Sequence, residues 1–370
     1  MNTGMAEPAS AEQQDSAVSS QSASRPKWVV RSQPSRESVR PPADRSENPD
    51  LSSTLTSVCT DLASTVLIPT VFHEEWWLDA ATAGTYSIAE VTAGGKVVGR
   101  LPFVVRRRFG FQGIWTPTLT HFLGPGIDDG NGSSSTRFLH RLEITRQLIG
   151  KLPDSSWQCI RCHGGVSDVI AFQEEAFKTY VQFTHEVPPQ PTENLWQQMR
   201  DKTRNVIRRA EEQLTIRQLY DAEEFVRLYG EHLSSRHVRN TLDLSAIKRL
   251  LLAALERNQG RILGACNNRN EIVAANFCAW DSKTTFYIAC TRRADSGNGA
   301  TSLLLWEAIQ HASQNGRIFD FSGLGTRGSV LHYAGFGAAV SPRFVAVRAT
   351  GLGKLAARAR VLMMDEHYLF

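Results

Sequence analysis

Between Asn194 and Gln213 the chain reads NLWQQMRDKTRNVIRRAEEQ, and at 100° per residue this predicts one continuous amphipathic helix. Leu195, Trp196, Met199, Thr203, Val206, Ile207, Ala210 and, just beyond, Leu214 share a face. Arg200, Arg204 and Arg208 stand four residues apart along one edge of that face, with Lys202 and Arg209 along the other. A guanidinium fork makes bidentate, charge-assisted hydrogen bonds, so an arginine column beside a buried stripe suits a phosphate or carboxylate ligand. The alternative is a solvated basic face with snorkelling stems.

The same reading of period and polarity organises the rest of the chain. Residues 1–55 are rich in Ser, Ala, Pro, Gln and Arg with isolated hydrophobes, a composition that cannot offset its ordering entropy by burial, and they are expected to be disordered. From Thr56 the pattern becomes globular. Helical spacing predicts helices over 74–81, 136–152, 166–172, 222–233, 244–258 and 300–314. Alternation predicts a hairpin of strands 86–91 and 96–105 around Gly94-Gly95, then strands at 157–162, 180–186, 215–219, 260–267, 271–281, 284–290 and 317–322. A Pro-rich joint at 187–191 divides two halves with the same grammar, a hairpin-like pair followed by a crossover helix. The expected class is therefore mixed α/β, with two similar units side by side over 56–190 and 191–350. The tail 351–370 places Leu352, Leu355, Ala359, Leu362 and Met363 beside Lys354, Arg358 and Arg360, a pattern for a helix that docks on the second unit or meets a membrane surface.

Composition narrows the function classes. With 370 residues, 41% hydrophobic and 21% charged, the chain is long enough for two ordinary globular domains. A net charge of +4 and a pI near 8.8 are mild: they imply no diffuse surface for DNA or other nucleic acid, and any anion affinity is expected to be local. The N-terminus has no apolar signal region, and no apolar run approaches the roughly 18 residues of a membrane span, so a cytoplasmic protein with reduced thiols is expected. Cys159 and Cys162 with His163 match the C-x-x-C-H spacing of haem attachment. Haem attachment requires export, and a step of three along a strand turns the two thiols to opposite sides, so strand packing without haem or metal is the expectation. No H-E-x-x-H, G-x-S-x-G or Walker motif is present.

Candidate chemistry gathers near the end of the second half. The loop from Arg292 and Arg293 to Gly297-Asn298-Gly299 opens the 300–314 helix, where backbone N–H groups and the helix dipole suit a pyrophosphate; an ordinary Gly-rich turn is the alternative. Asp320 lies between Phe319 and Phe321 at a strand end, where burial would lift its pKa toward that of a general base, or where it would cap the turn that follows. Tyr333 and Tyr287 are candidates for donating a proton or hydrogen bond to a leaving group, with core packing as the alternative, and His121 is read as orienting a turn.

These residues resemble the tandem-GNAT acyltransferases of the FemAB-like superfamily, in particular the bacterial acetyltransferase-like subgroup of exopolysaccharide or cellulose loci. The likeness runs from about Phe72 to Phe344. It is carried by Gly99-Arg100-Leu101-Pro102-Phe103, Thr120-His121-Phe122-Leu123-Gly124-Pro125, Arg204-Asn205-Val206-Ile207-Arg208-Arg209-Ala210-Glu211, Leu303 to Ile309 and Phe319-Asp320-Phe321-Ser322-Gly323. The resemblance implies two GNAT-like units and transfer of an acyl group from acyl-CoA, without a metal, to an amine or hydroxyl on a polysaccharide or cell-envelope precursor. In the peptidoglycan-bridge subgroup it implies aminoacyl-tRNA as donor; acyl-CoA is preferred here because the chain lacks a long coiled-coil arm. The chain departs from the family pattern at two places. Arg293 stands four residues before Gly297, one more than usual, and Tyr333 occupies the place of a lysine in His332-Tyr333-Ala334-Gly335-Phe336-Gly337. A non-catalytic protein that keeps the fold is the reading these departures leave open.

Overall fold

A computed structural model of the chain describes residues 66–108, 111–235, 243–293, 296–323 and 327–351; the expectations for 1–55 and for the tail beyond 351 lie outside the described residues. The hairpin joins β1 (Ser87–Ala93) to β2 (Lys96–Arg108) through Gly94 and Gly95, both at positive φ (56° and 78°). Two successive left-handed residues match the twist of the strands, and glycine adopts them without a Cβ clash. Before the hairpin lies α1 (Glu75–Thr82). After it come β3 (Phe111–Trp115), β4 (Gly126–Ile127), α2 (Ser134–Gly150), β5 (Trp157–Arg161), α3 (Ile170–Glu174) and β6 (Lys178–Val187). Ser133 caps α2, its hydroxyl accepting from the Thr136 N–H.

The second half continues with α4 (Thr192–Gln198), α5 (Asp201–Glu211), β7 (Thr215–Leu219), α6 (Ala222–Ser235), α7 (Leu244–Glu256), β8 (Gly260–Cys266), β9 (Ile272–Trp280) and β10 (Thr284–Arg292). It ends with α8 (Asn298–Gln314), β11 (Ile318–Asp320), α9 (Arg327–Ala334) and β12 (Ala339–Ala349). The halves share one mixed sheet, ordered β1-β2-β3-β5-β12-β6-β11-β10-β9-β8-β7, with β4 paired to β2 off this path. The last strand of the second half, β12, is antiparallel to both β5 and β6, and β6 in turn pairs with β11.

The continuous helix expected over 194–213 is broken. Met199 and Arg200 are extended (ψ 150° and 142°), separating α4 from α5. The Arg200 N–H donates to the Gly335 carbonyl (3.0 Å) instead of to the carbonyl four residues back. The segment Gly335–Gly337 lies against the break so closely that a Cβ on Gly335 would sit 2.4 Å from Thr203 Oγ1, and one on Gly337 2.9 Å from the Gln198 carbonyl. Arg204 compensates: its guanidinium donates to the Trp196 and Gln197 carbonyls at 3.2 and 3.1 Å, capping the end of α4.

Two large cores cover different parts of the second-half sheet. One packs Val71, Phe72 and Trp77 with Phe225, Ile247, Leu250, Phe277 and Phe286 beneath α6 and α7. The other packs Leu195, Met199, Ile207, Tyr287, Trp306, Phe319, Phe321 and Phe336 among α4, α5, α8 and α9. Neighbouring residues Phe286 and Tyr287 thus face opposite cores, as strand alternation requires.

Candidate active site

Parallel β10 and β11 pair only over Thr284–Phe286 and Ile318–Asp320. Beyond that point Ser322 (φ 61°) and Gly323 (φ 119°) turn the chain out of line, while β10 runs on to Arg292 against β9 with a bulge between Tyr287 and Ala289. The two strands therefore open into a fork. Phe321 stacks on Tyr333 (centroids 4.3 Å apart, planes at 26°), and Tyr287 meets Tyr333 edge-on at 6.3 Å. The Tyr287 hydroxyl is hydrogen-bonded with Cys290, and that of Tyr333 with Ser329. Burial raises both phenol pKa values above the ordinary range, so both hydroxyls keep their protons at neutral pH and are able to donate them.

Two histidines complete the fork, and neither was read from the sequence as part of it. His121 Nε2 lies 3.3 Å from the carbonyl of Ile288, the residue at the bulge. Burial pushes its pKa down to about 4, so the ring is neutral and donates this N–H, fixing the bulge from the first half of the chain. His185, on β6, is 3% exposed and packs edge-on against Tyr333 at 6.4 Å. Its Nδ1 is buried without a hydrogen-bond partner among the described residues, and burial lowers its pKa.

The loop after β10 leads to α8, whose N-cap is Gly297 in extended conformation with no side-chain cap bond. The first amides of the helix border a cleft of about 370 Å³ lined by Arg209, Gln213, Val273, Ser296, Gly297 and Gly299. The two glycines differ in purpose. A Cβ on Gly297 would meet nothing within 4 Å, whereas one on Gly299 would lie 3.2 Å from Ala210 Cβ, so Gly299 allows α8 to approach α5. Arg292 Nη1 donates to the Ser296 carbonyl (3.3 Å), and the Arg293 side chain lies 3.8 Å from Glu271. Asn298 is the first residue of α8.

The arginine column does not stand as one array. Arg200 is exposed at the helix break, Arg204 caps α4, and Arg208 lies over the Trp196 ring at 5.3 Å. The basic residue of this stretch that lines the cleft at α8 is Arg209, from the other edge of the stripe.

Asp320 is fully buried and points away from Tyr333. Oδ1 accepts from the Thr184 hydroxyl (2.5 Å) and the Ser322 N–H (2.6 Å), and Oδ2 from Arg343 (3.2 Å). Burial raises its pKa to about 6, against the opposing pull of Arg343. Phe319 and Phe321, on either side of it in sequence, face the Tyr287 and Tyr333 cluster, so the fork tyrosines and Asp320 lie on opposite faces of the sheet. A raised pKa and a cap on the following turn are both present at this residue, on the sheet face opposite the phenols.

Around β5, Cys162 is buried in the core while Cys159 is partly exposed. His163 is committed on both ring nitrogens, Nδ1 accepting from the Gly165 N–H (3.0 Å) and Nε2 donating to the Pro125 carbonyl (3.1 Å). Among the described residues no helix is long and apolar enough to cross a membrane.

Residues 197–330 match a family model described as an acetyltransferase (GNAT) domain. Among solved structures, FemX superposes with a TM-score of 0.56 at 11% identity, over 77% of this chain and 95% of its own. The C-terminal DUF2156 domain of an Agrobacterium fabrum protein described as a lysylphosphatidylglycerol synthetase superposes with a TM-score of 0.50 at 11% identity, over 84% of this chain and 98% of its own. No curated protein matches the sequence. At these identities the structures share a fold with the chain, and residues 197–330, which carry β10, β11 and the cleft at α8, are similar to a GNAT acetyltransferase domain within a FemX-like fold.

Proposed function

We propose that the protein transfers an acyl group from acyl-CoA to an amine or hydroxyl of a polysaccharide or cell-envelope precursor. The observation that carries this reading is the adjacency of two features: a fork between β10 and β11 lined by protonated phenols, and an uncapped helix N-terminus with Arg209 beside it. The cleft at α8 suits the pyrophosphate, through the N–H groups of α8, its dipole and Arg209. The fork then receives the thioester arm.

The acceptor heteroatom attacks the thioester carbon, the carbon–sulfur bond breaks, and the departing thiolate takes a proton from Tyr333. The acceptor's own proton passes to water or to neutral His185. Tyr287 and Ser329 hold the neighbouring hydroxyls in the fork. Positioning and one well-placed acid are sufficient for this chemistry, because the thioester is already activated.

Calorimetric titration with acetyl-CoA and longer acyl-CoAs, alongside charged tRNA, tests the donor, and release of free thiol tests the transfer. Binding of an acyl-CoA is expected. Binding of charged tRNA without any CoA ester would replace the donor by an aminoacyl group, and binding of neither would make the fold non-catalytic.

A further inference from the structure

β10 brings an exposed thiol, Cys290, to the fork. Three residues along a regular strand turn a side chain to the opposite face, but the bulge adds one residue between Tyr287 and Ala289. Tyr287 therefore pairs with Cys278, Ala289 with Phe277 and Cys290 with Asn276, which puts Cys290 on the same face as Tyr287. We propose that Cys290 is a nucleophile that carries the acyl group, as an S-acyl intermediate, between acyl-CoA and the acceptor. The proposal deepens the acyl-transfer reading and rests on it for the donor.

The surroundings of the sulfur suit that role. Cys162, Cys266 and Cys278 are buried, whereas Cys290 is open to a ligand. Its thiol is hydrogen-bonded with the Tyr287 hydroxyl and lies within electrostatic reach of Tyr333. Burial keeps the Tyr287 phenol protonated at neutral pH, so its O–H donates to the sulfur and favours the thiolate, the form that attacks a carbonyl.

Asn276 is an independent sign of a ligand at this place. It stands directly across the strand pair from Cys290 on the same face, where opposed Cβ atoms are about 5 Å apart. The side chain is 1% exposed, and its Nδ2 donates to the Leu304 carbonyl (3.3 Å). Its Oδ1 is buried with no hydrogen-bond partner among the described residues. A buried acceptor left in this state costs about 1–3 kcal/mol, which an amide N–H of a pantetheine arm would recover. The arm has reason to pass here, because β10 runs from Tyr287 in the fork through Cys290 to Arg292 and the loop that ends at the N-terminus of α8.

In the loading step Cys290 Sγ bonds to the thioester carbon, and the bond from that carbon to the CoA sulfur breaks. The Cys290 proton leaves to water, the CoA thiolate takes a proton from Tyr333, and Tyr333 regains one from water, so the products are S-acyl Cys290 and free CoA thiol. The acceptor then attacks the Cys290 thioester, and the departing Cys290 thiolate is reprotonated in the same way. One thioester replaces another, so loading needs no further reactant.

Acid quench of the full chain mixed with acetyl-CoA, without any acceptor, followed by intact and peptide mass measurement, tests the intermediate. One acetyl group per chain is expected on the peptide that holds Cys290, labile to neutral hydroxylamine as a thioester is, together with one equivalent of free CoA. Cys159, which is partly exposed, is the internal control and should stay unlabelled over the same interval. Cys290→Ala should abolish both the adduct and the CoA release. Tyr287→Phe should slow loading roughly tenfold, the worth of one hydrogen bond to a charged atom, and serves as the second variant if Cys290→Ala proves unstable. Acetyl-CoA that binds in calorimetry yet leaves Cys290 unlabelled would overturn the intermediate and leave acyl transfer standing as a direct reaction. Equal labelling of Cys159, or an adduct retained in Cys290→Ala, would overturn it as well. No binding of any CoA ester would remove the acyl-transfer reading and the intermediate with it.

Discussion

Tyr333 and Asp320 occupy opposite faces of the strand pair that forms the fork, and this difference decides what substitution of each should do. The Tyr333 hydroxyl bonds to Ser329 within the fork, while its ring packs on Phe321 and Tyr287. Tyr333→Phe keeps the stack and removes the proton, so turnover should fall by about 10²-fold or more with little change in melting temperature. Asp320 accepts three donors in a buried site, among them Arg343. Asp320→Asn turns an amide NH2 toward that guanidinium, which keeps Glu186 as its partner, at a cost of about 1–3 kcal/mol for the mismatched buried donor. A lowered melting point is expected, with calorimetric melts as the check. An Asp320→Asn protein that melts normally but turns over slowly would restore the carboxylate to the chemistry.

At the scale of elements, α5 and α8 divide the work that one helix and one loop were expected to do. Gly299 permits contact with Ala210, whereas Gly297 faces open space. Gly297→Val should therefore weaken acyl-CoA binding at unchanged stability, and Gly299→Val should push α8 from α5 at a cost of about 1–3 kcal/mol. Paired titration and urea unfolding of the two variants check the assignment; equal effects on binding and stability in both would refute it. The strands, the Gly94-Gly95 turn and α8 were legible because apolar period and turn chemistry are local. The break at Met199 was not, because it is set by Gly335, remote in sequence. For the same reason Arg204 looked like a ligand-binding arginine from its spacing and serves as a cap in the fold. β12 escaped notice because Pro342 and Arg343 interrupt its alternation, although the run Phe344-Val345-Ala346-Val347 was a usable strand signal. Glu186 and His185 carry no motif; only the pairing of β6 with β11 and β12 gives them a place.

Across the whole molecule, buried histidines and a shared sheet tie the halves together, and each has a measurable consequence. His73 and His163 bond to the Gly124 and Pro125 carbonyls, and His121 to Ile288 across the halves. Burial holds their pKa values down to about 3, 4 and 4, so between pH 6.5 and 4 the unfolded chain binds more protons than the folded one, and stability is lost as pH falls. Asp320 and Asp281, whose carboxyl pKa values burial raises, act in the opposite sense, but they are two groups against these three histidines and the similarly lowered His185, His311 and His332. The melting temperature should therefore drop from pH 7 to pH 4.5, and a flat or rising profile in thermal melts would count against the neutral histidines. The sheet makes a stronger demand. β12 forms its ladders with β5 over Val345–Ala349 and with β6 over Ala339–Val347, and β6 also carries β11 at Phe319 and Asp320. Cutting the chain at the Pro-rich joint removes β6 from the half that holds the fork and takes β12 from the half that holds β5. Each fragment is then left with unpaired strand edges in what was the centre of the sheet, and Asp320 loses Thr184. Residues 66–190 and 191–351 produced separately should fail to unfold cooperatively, and produced together they should assemble and recover the melting transition of the intact chain. Cooperative unfolding of the isolated 191–351 piece, followed by circular dichroism, would show that the strand exchange adds little and that the second half carries its own stability.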